Sequence, residues 1–156
     1  MRNGAIVDET GNYRYSLWRS WDERKPKVTF IMLNPSTADE TYDDLTITRC
    51  INFAKRWGFG TLEVVNLFAY RAPDFGEIME VNDPVGVKND EYIMEAVKKA
   101  DKIVLAWGTQ GAYKNRDMEV LQMLTEYDLF AIDLSKRGHP RHPLYLNTHL
   151  DLMKLV

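Results

Sequence analysis

Four short segments gather the side chains able to do chemistry: Asn34-Pro35-Ser36-Thr37, Asn66-Leu67-Phe68-Ala69-Tyr70-Arg71, Trp107-Gly108-Thr109-Gln110-Gly111 and His139 to Tyr145. They hold amides (Asn34, Asn66, Gln110), hydroxyls (Ser36, Thr37, Thr109), aromatics (Phe68, Tyr70, Trp107), two histidines and the cations Arg71 and Arg141, with Lys136 and Arg137 just upstream of the last segment. Amides and aromatics suit hydrogen bonding and stacking on a flat heterocycle, and arginines suit phosphate. The stretch from Leu134 to His149 has three positive charges, three histidines and no acid in a chain of net charge −3. It is either the patch that meets a phosphate or a solvated basic loop. A nucleic acid or a nucleotide is the partner this chemistry predicts.

Other chemistries lack their residues. Gly108-Thr109-Gln110-Gly111 is without the Gly-Lys-Ser/Thr ending of a phosphate-binding loop, and the chain has no G-x-G-x-x-G dinucleotide fingerprint. Asp39, Glu40, Asp43 and Asp44 could hold a hard metal or complement the dipole of a helix beginning there. No His-x-x-x-His or Cys-x-x-Cys spacing supports zinc, and His139 and His142 stand among prolines. No metal and no cofactor is expected. Cys50 is the only cysteine, which excludes an internal disulfide; inside a predicted helix it reads as a small core residue.

Strands must end at these segments to position them. Val28-Thr29-Phe30-Ile31-Met32-Leu33 follows the breaker Pro26 as an unbroken apolar and β-branched run, the pattern of a central strand buried on both faces. Asn34-Pro35 stops it, because proline has no ladder donor and pushes the preceding residue out of the helical region. Ser36, Thr37 and Asp39 can cap a helix starting near Asp43 or Asp44, in which Ile47, Cys50, Ile51, Ala54 and Trp57 share a face before Gly58 closes it. A second strand is predicted from Thr61 to Phe68, and a turn-rich loop with at most one helical turn over 73–90. A helix follows from Asn89 to Ala100, with Tyr92, Ile93, Ala96 and Val97 buried. Then come a strand from Lys102 to Trp107, a helix from Gly111 to about Tyr127, a strand from Leu129 to Leu134 and an ordered tail lying over the sheet. Near the N-terminus Tyr13 to Arg19 alternates as a half-exposed strand does, and Trp18 and Trp21 either stack on bases or cover an edge of the sheet.

Successive strand-to-helix units predict a single α/β domain over 1–156: three layers, α/β/α, around a four-stranded, mainly parallel sheet with an extra N-terminal strand. The strand carboxyl ends then share one edge, where open α/β sheets bind ligands, so the four segments converge on one cleft. Pro35, Ser36, Thr37, Asn66, Phe68, Tyr70, Trp107 and Gly108 are its candidate base- or substrate-binding residues, and Arg71, Arg137 and Arg141 its candidate phosphate ligands. At 156 residues, 45% of them hydrophobic, the chain can bury a real core. No run reaches the ~20 apolar residues of a membrane span and the N-terminus lacks the apolar stretch of a signal peptide, so a cytoplasmic protein with no membrane partner is expected. The oligomeric state stays open.

The run Met32-Leu33-Asn34-Pro35-Ser36-Thr37-Ala38-Asp39, with Asn66 to Arg71, Ala106-Trp107-Gly108 and Gly138-His139-Pro140-Arg141-His142-Pro143-Leu144-Tyr145, resembles a bacterial and phage family of domains of unknown function. More remotely, the motif order is similar to the uracil-DNA glycosylase superfamily, whose members carry a G-Q-D-P-Y or G-I-N-P-G first motif and an H-P-S-P last motif on a four-stranded parallel sheet flanked by helices. Asn34-Pro35 matches the N-P of the first motif, Trp107-Gly108 the strand-end glycine, and His139-Pro140 or His142-Pro143 the last motif. Met32 stands where the first motif has glycine, Ser36-Thr37 replaces its tyrosine or glycine, and the last motif has one residue too many between its prolines.

The resemblance implies a mechanism in which Asn34 orients a water, His139 or His142 donates a hydrogen bond to the base oxygen where charge grows, and Phe68 or Tyr70 sandwiches the base. Arg71, Arg137 and Arg141 would hold flanking phosphates, and Leu144 would fill the vacated stack. Two other classes are open: a hydrolase or transferase for a free nucleotide or modified base, and a nucleobase- or nucleic-acid-binding module without catalysis.

Overall fold

In the computed structural model, which describes residues 2–155, the fold is α/β. The central strand β3 (Lys27–Met32) pairs in parallel with β4 (Thr61–Asn66) on one side and β5 (Lys102–Leu105) on the other; β5 pairs in parallel with β6 (Leu129–Ala131). Three further strands, β1 (Arg2–Val7), β2 (Arg14–Ser20) and β7 (Met153–Lys154), join antiparallel and give a seven-stranded sheet in the order β1-β2-β4-β3-β5-β6-β7. The expectation of a four-stranded, mainly parallel sheet with one N-terminal strand is therefore corrected to a mixed sheet. Two N-terminal strands form because β1, which shows no alternation of its own, finds an antiparallel partner in β2, and β7 covers the opposite edge with two residues.

Alternate residues of β3 point to opposite faces, and each face has its own core. Val28, Phe30 and Met32 pack with Ile47, Cys50, Phe53 and Ala54 of helix α1 (Leu45–Arg56). Ile31, with Val65 and Leu105, packs on Ile93, Ala96 and Val97 of α3 (Asn89–Lys99) and Val120 of α4 (Arg116–Met123). Burial on both sides is why the run reads as continuously apolar, and each such large side chain contributes roughly 1.5–3 kcal/mol relative to exposure. Cys50 is fully buried in the α1 face, and burial pushes its thiol pKa up. The helix begins where Asp44 caps it, its carboxylate accepting from the Ile47 N–H at 2.9 Å, and ends at Trp57 before Gly58 at φ 88°. Asp44, rather than Ser36, Thr37 or Asp39, is the cap.

The long 73–90 loop contains one short helix, α2 (Phe75–Ile78). Tyr92 is only half-buried on α3; Asn89 takes its place, donating to the carbonyls of Asn66 and Leu67 and tying the helix to the end of β4. The predicted helix from Gly111 to Tyr127 is broken. Thr109–Asn115 is a kinked 3-10 segment with Lys114 and Asn115 at positive φ, and α4 starts only at Arg116. Gly111 packs closely within this segment, since a Cβ there would meet the Trp107 ring at 2.4 Å. Trp18 lies against Gly4 on the neighbouring strand, and Trp21 donates to the Phe59 carbonyl while packing on the α1 core. Both tryptophans cover the sheet.

In β2 the register with β1 runs Ile6↔Ser16 and then Val7↔Arg14, so Tyr15 is the extra residue of a β-bulge. The bulge returns Arg14 to the face of Leu17 and Arg19, the α1 face. Tyr15 instead stacks on Tyr92 of α3, ring centroids 5.1 Å apart.

Candidate functional site

The carboxyl ends of β3, β4 and β5 open on a cleft of about 710 Å³, a size usual for small-molecule sites. Asn34-Pro35-Ser36-Thr37 come to it from the end of β3, Asn66 from β4, Trp107-Gly108-Thr109-Gln110 from β5, and His142, Leu144 and Tyr145 from the tail. The start of α1 (Asp44 to Ile47), Phe75 of α2 and Arg14 of β2 complete the wall.

Local hydrogen bonds decide what each group presents. Asn34 gives its Nδ2 to the carbonyls of Pro35 (3.0 Å) and Ala72 (2.9 Å), which leaves Oδ1 as the atom without a protein partner among the described residues. The Pro35 carbonyl in turn accepts from Ala72 N–H, so the loop after β3 is pinned to the segment leading to α2. His142 caps the 3-10 turn Pro143–Tyr145, its Nδ1 accepting from the Leu144 N–H at 3.2 Å. That bond fixes Nε2 as the protonated nitrogen of the neutral ring. Burial lowers the His142 pKa, against a smaller upward pull from Asp44, so near neutral pH the imidazole is an uncharged donor. Gly108, at φ 77°, brings its backbone beside His142; its N–H donates to the Pro140 carbonyl at 2.7 Å and holds the tail over the strand end.

Deeper in the cleft the unmet groups are donors. Among the described residues Asn66 Nδ2 and Trp107 Nε1 are buried without partners, and so is Arg14 Nε. Arg14 Nη1 donates to the Ala38 carbonyl at 3.0 Å. Burial draws the Arg14 pKa down to about 10, with the Asp44 carboxylate as the largest opposing charge.

A family model described as a protein of unknown function, DUF1643, matches residues 14–144. The chain belongs to that family. No curated protein and no solved structure matches it. The DUF1643 span takes in β2 to β6, every buried core residue except Leu146 and every cleft residue except Tyr145; β1 and β7 lie outside it.

Several sequence-predicted residues of this DUF1643 domain stand away from the cleft. Phe68 is buried between the rings of Phe75 and Tyr113. Tyr70 packs edge-on to Tyr13, and Arg71 reaches the Gly11 carbonyl. His139 sits in the turn that Ser135 closes, with the Ser135 Oγ accepting from its N–H. Arg137 is exposed, and Arg141 pairs with Asp133 at 2.8 Å. The acids once open to a metal act locally: Asp39 accepts from the N–H groups of Thr41 and Tyr42, Asp43 pairs with Arg19, and Asp44 caps α1. Among the described residues no group of three or more His, Cys, Asp or Glu side chains converges. No described helix is long and apolar enough to cross a membrane.

Arg14, Asp44 and Phe75 are the cleft residues that motif reasoning missed or assigned elsewhere. In Tyr13-Arg14-Tyr15-Ser16 a strict alternation puts Arg14 with Ser16, and only the bulge at Tyr15 reverses that. No residue type in the stretch marks a bulge.

Proposed function

We propose that the cleft receives a nucleobase and that this DUF1643 protein hydrolyses an N-glycosidic bond to it, in the manner of the uracil-DNA glycosylase superfamily. The observation that carries the reading is the pairing of Asn34 and His142 on one cleft, the first with Oδ1 unpartnered and the second with its proton on Nε2. Asn34 Oδ1 holds the attacking water. An amide is too weak a base to remove its proton early, so the barrier is lowered chiefly by His142 Nε2–H donating to the base oxygen as the bond breaks. Asn66 and Trp107 offer N–H groups to the base edge, Pro35, Ser36, Thr37 and Gly108 shape the pocket mouth, and Phe75 and Leu144 supply apolar walls. The parallel strands β4-β3-β5-β6, with helices on both faces, agree with the architecture the resemblance implies.

The test is base release, followed by mass spectrometry, from single- and double-stranded oligonucleotides carrying uracil, mismatches and modified bases. Asn34→Ala and His142→Ala are expected to lower release by about 100-fold or more, and His139→Ala to leave it unchanged. No release from any member of the panel, with protein in excess over DNA, overturns the reading for DNA. A second substrate, a free nucleotide, is favoured by one observation: Arg71, Arg137 and Arg141 do not line the cleft. Duplex binding predicts a steep loss of affinity with salt, and free-nucleotide binding a shallow one.

A further inference from the structure

Three arginines are buried among the described residues, and two have evident structural partners. Arg19 gives Nε to Asp43 at 2.7 Å and its other nitrogens to the carbonyls of Trp18, Asp39 and Tyr42. Arg116 gives Nε to the Leu67 carbonyl at 2.8 Å and pairs with Asp90 and Glu119. Arg14 is 2% exposed, and among the described residues its side chain makes one hydrogen bond, has no ion pair and keeps a buried Nε without a partner. A charge removed from water is stable only when something completes its hydrogen bonds. For Arg14 the described residues do not supply that, and Arg14 lines the cleft.

Two independent features say what would complete it. Asn66 Nδ2 and Trp107 Nε1, on the same cleft, are also buried donors without partners. The one carboxylate lining the cleft, Asp44, already accepts from the N–H groups of Ile47 and Ala38. Trp107 packs in the core opposite to the α1 face, so these donors line the cleft from both sides, and unmet donors on the walls of a cleft that also holds a cation call for a group made only of acceptors. The bulge at Tyr15 is what turns Arg14 toward them; without it the guanidinium would lie on the α3 side of the sheet, with Ser16 and Trp18.

We infer that Arg14 is the centre of an oxyanion subsite inside the cleft, and that the group it takes is the phosphoryl group of a small nucleotide. This rests on the nucleotide reading of the cleft and adds where the charge of that ligand is held. The cleft has room for base, sugar and phosphate together. The basic side chains outside it leave an internal guanidinium to meet the charge, and a planar fork of N–H donors suits phosphoryl oxygens.

Calorimetric titration of the wild-type protein with nucleoside 5′-monophosphates, the matching nucleosides and inorganic phosphate tests this. At least one monophosphate is expected to bind about tenfold or more tighter than its nucleoside, with that preference lost in Arg14→Gln and partly kept in Arg14→Lys. A preference that a folded Arg14→Gln keeps in full overturns the assignment to Arg14, and if Arg14→Gln fails to fold, the partial loss in Arg14→Lys carries the test. Equal affinity for a nucleoside and its monophosphate overturns the subsite and leaves the nucleobase reading standing. If nucleosides and nucleotides do not bind, but inorganic phosphate does and Arg14→Gln abolishes it, the subsite stands and the nucleobase reading falls. Binding of none of the three overturns the subsite.

Discussion

Arg14 and Arg19 stand at opposite ends of β2, on the same face of the sheet, and both are buried. Around Arg19 the loop after β3 folds back so that the Asp43 carboxylate accepts from Nε and the carbonyls of Asp39 and Tyr42 from Nη2, while the Trp18 carbonyl accepts from Nη1. Around Arg14 the same loop supplies one carbonyl, that of Ala38, and then the cleft begins. Burial by itself therefore says little about a charged residue's role. What separates a structural cation from one reserved for a ligand is whether the chain completes its hydrogen bonds.

The sharpest way to break this comparison is to delete both charges. Arg19→Met strands three carbonyls and Asp43, and is expected to cost about 3 kcal/mol or more in chemical denaturation. Arg14→Met removes a buried charge that has no direct ion pair among the described residues and replaces it with apolar volume, so stability should change by no more than about 1 kcal/mol in either direction. Equal and large losses from both substitutions would show that Arg14 is as structural as Arg19, and would remove the physical ground for a ligand there.

The same contrast marks how far the sequence could be read. The run from Val28 to Leu33, the stop at Asn34-Pro35 and the apolar stripe of α1 follow from local rules, so the central strand, its neighbours and the strand-end cleft were legible. The two antiparallel edges were not, because β1 and β7 owe their existence to a partner strand rather than to their own pattern. The kink at Lys114-Asn115 is not encoded by any helical periodicity. In the candidate site, Asn34, Asn66 and Trp107 could be placed at the cleft because strand ends announce themselves. Phe68 and Tyr70 follow the strand end just as closely, yet they pack among other aromatics. The charge inside the cleft depends on one extra residue in β2, and the choice between His139 and His142 on which of them the tail turns inward.

His142 adds a third way of handling a buried base, and the mildest test. An arginine keeps its proton, so it must be partnered; an imidazole can give its proton up. Burial lowers the His142 pKa below its ordinary value of 6.5. Between those two values the unfolded chain binds the proton and the folded one does not, so native stability falls as pH drops through that window and is unaffected above it. His142→Asn keeps an acceptor for the Leu144 N–H but cannot titrate. The stability difference between wild type and His142→Asn should be flat above about pH 7 and shrink toward pH 5, measured by denaturant unfolding in paired buffers. A difference that grows on acidification would mean that Asp44 outweighs burial and that the ring is charged near neutral pH. His142 would then be a second cation facing the cleft beside Arg14, and the uncharged donor assigned to the base oxygen would be lost.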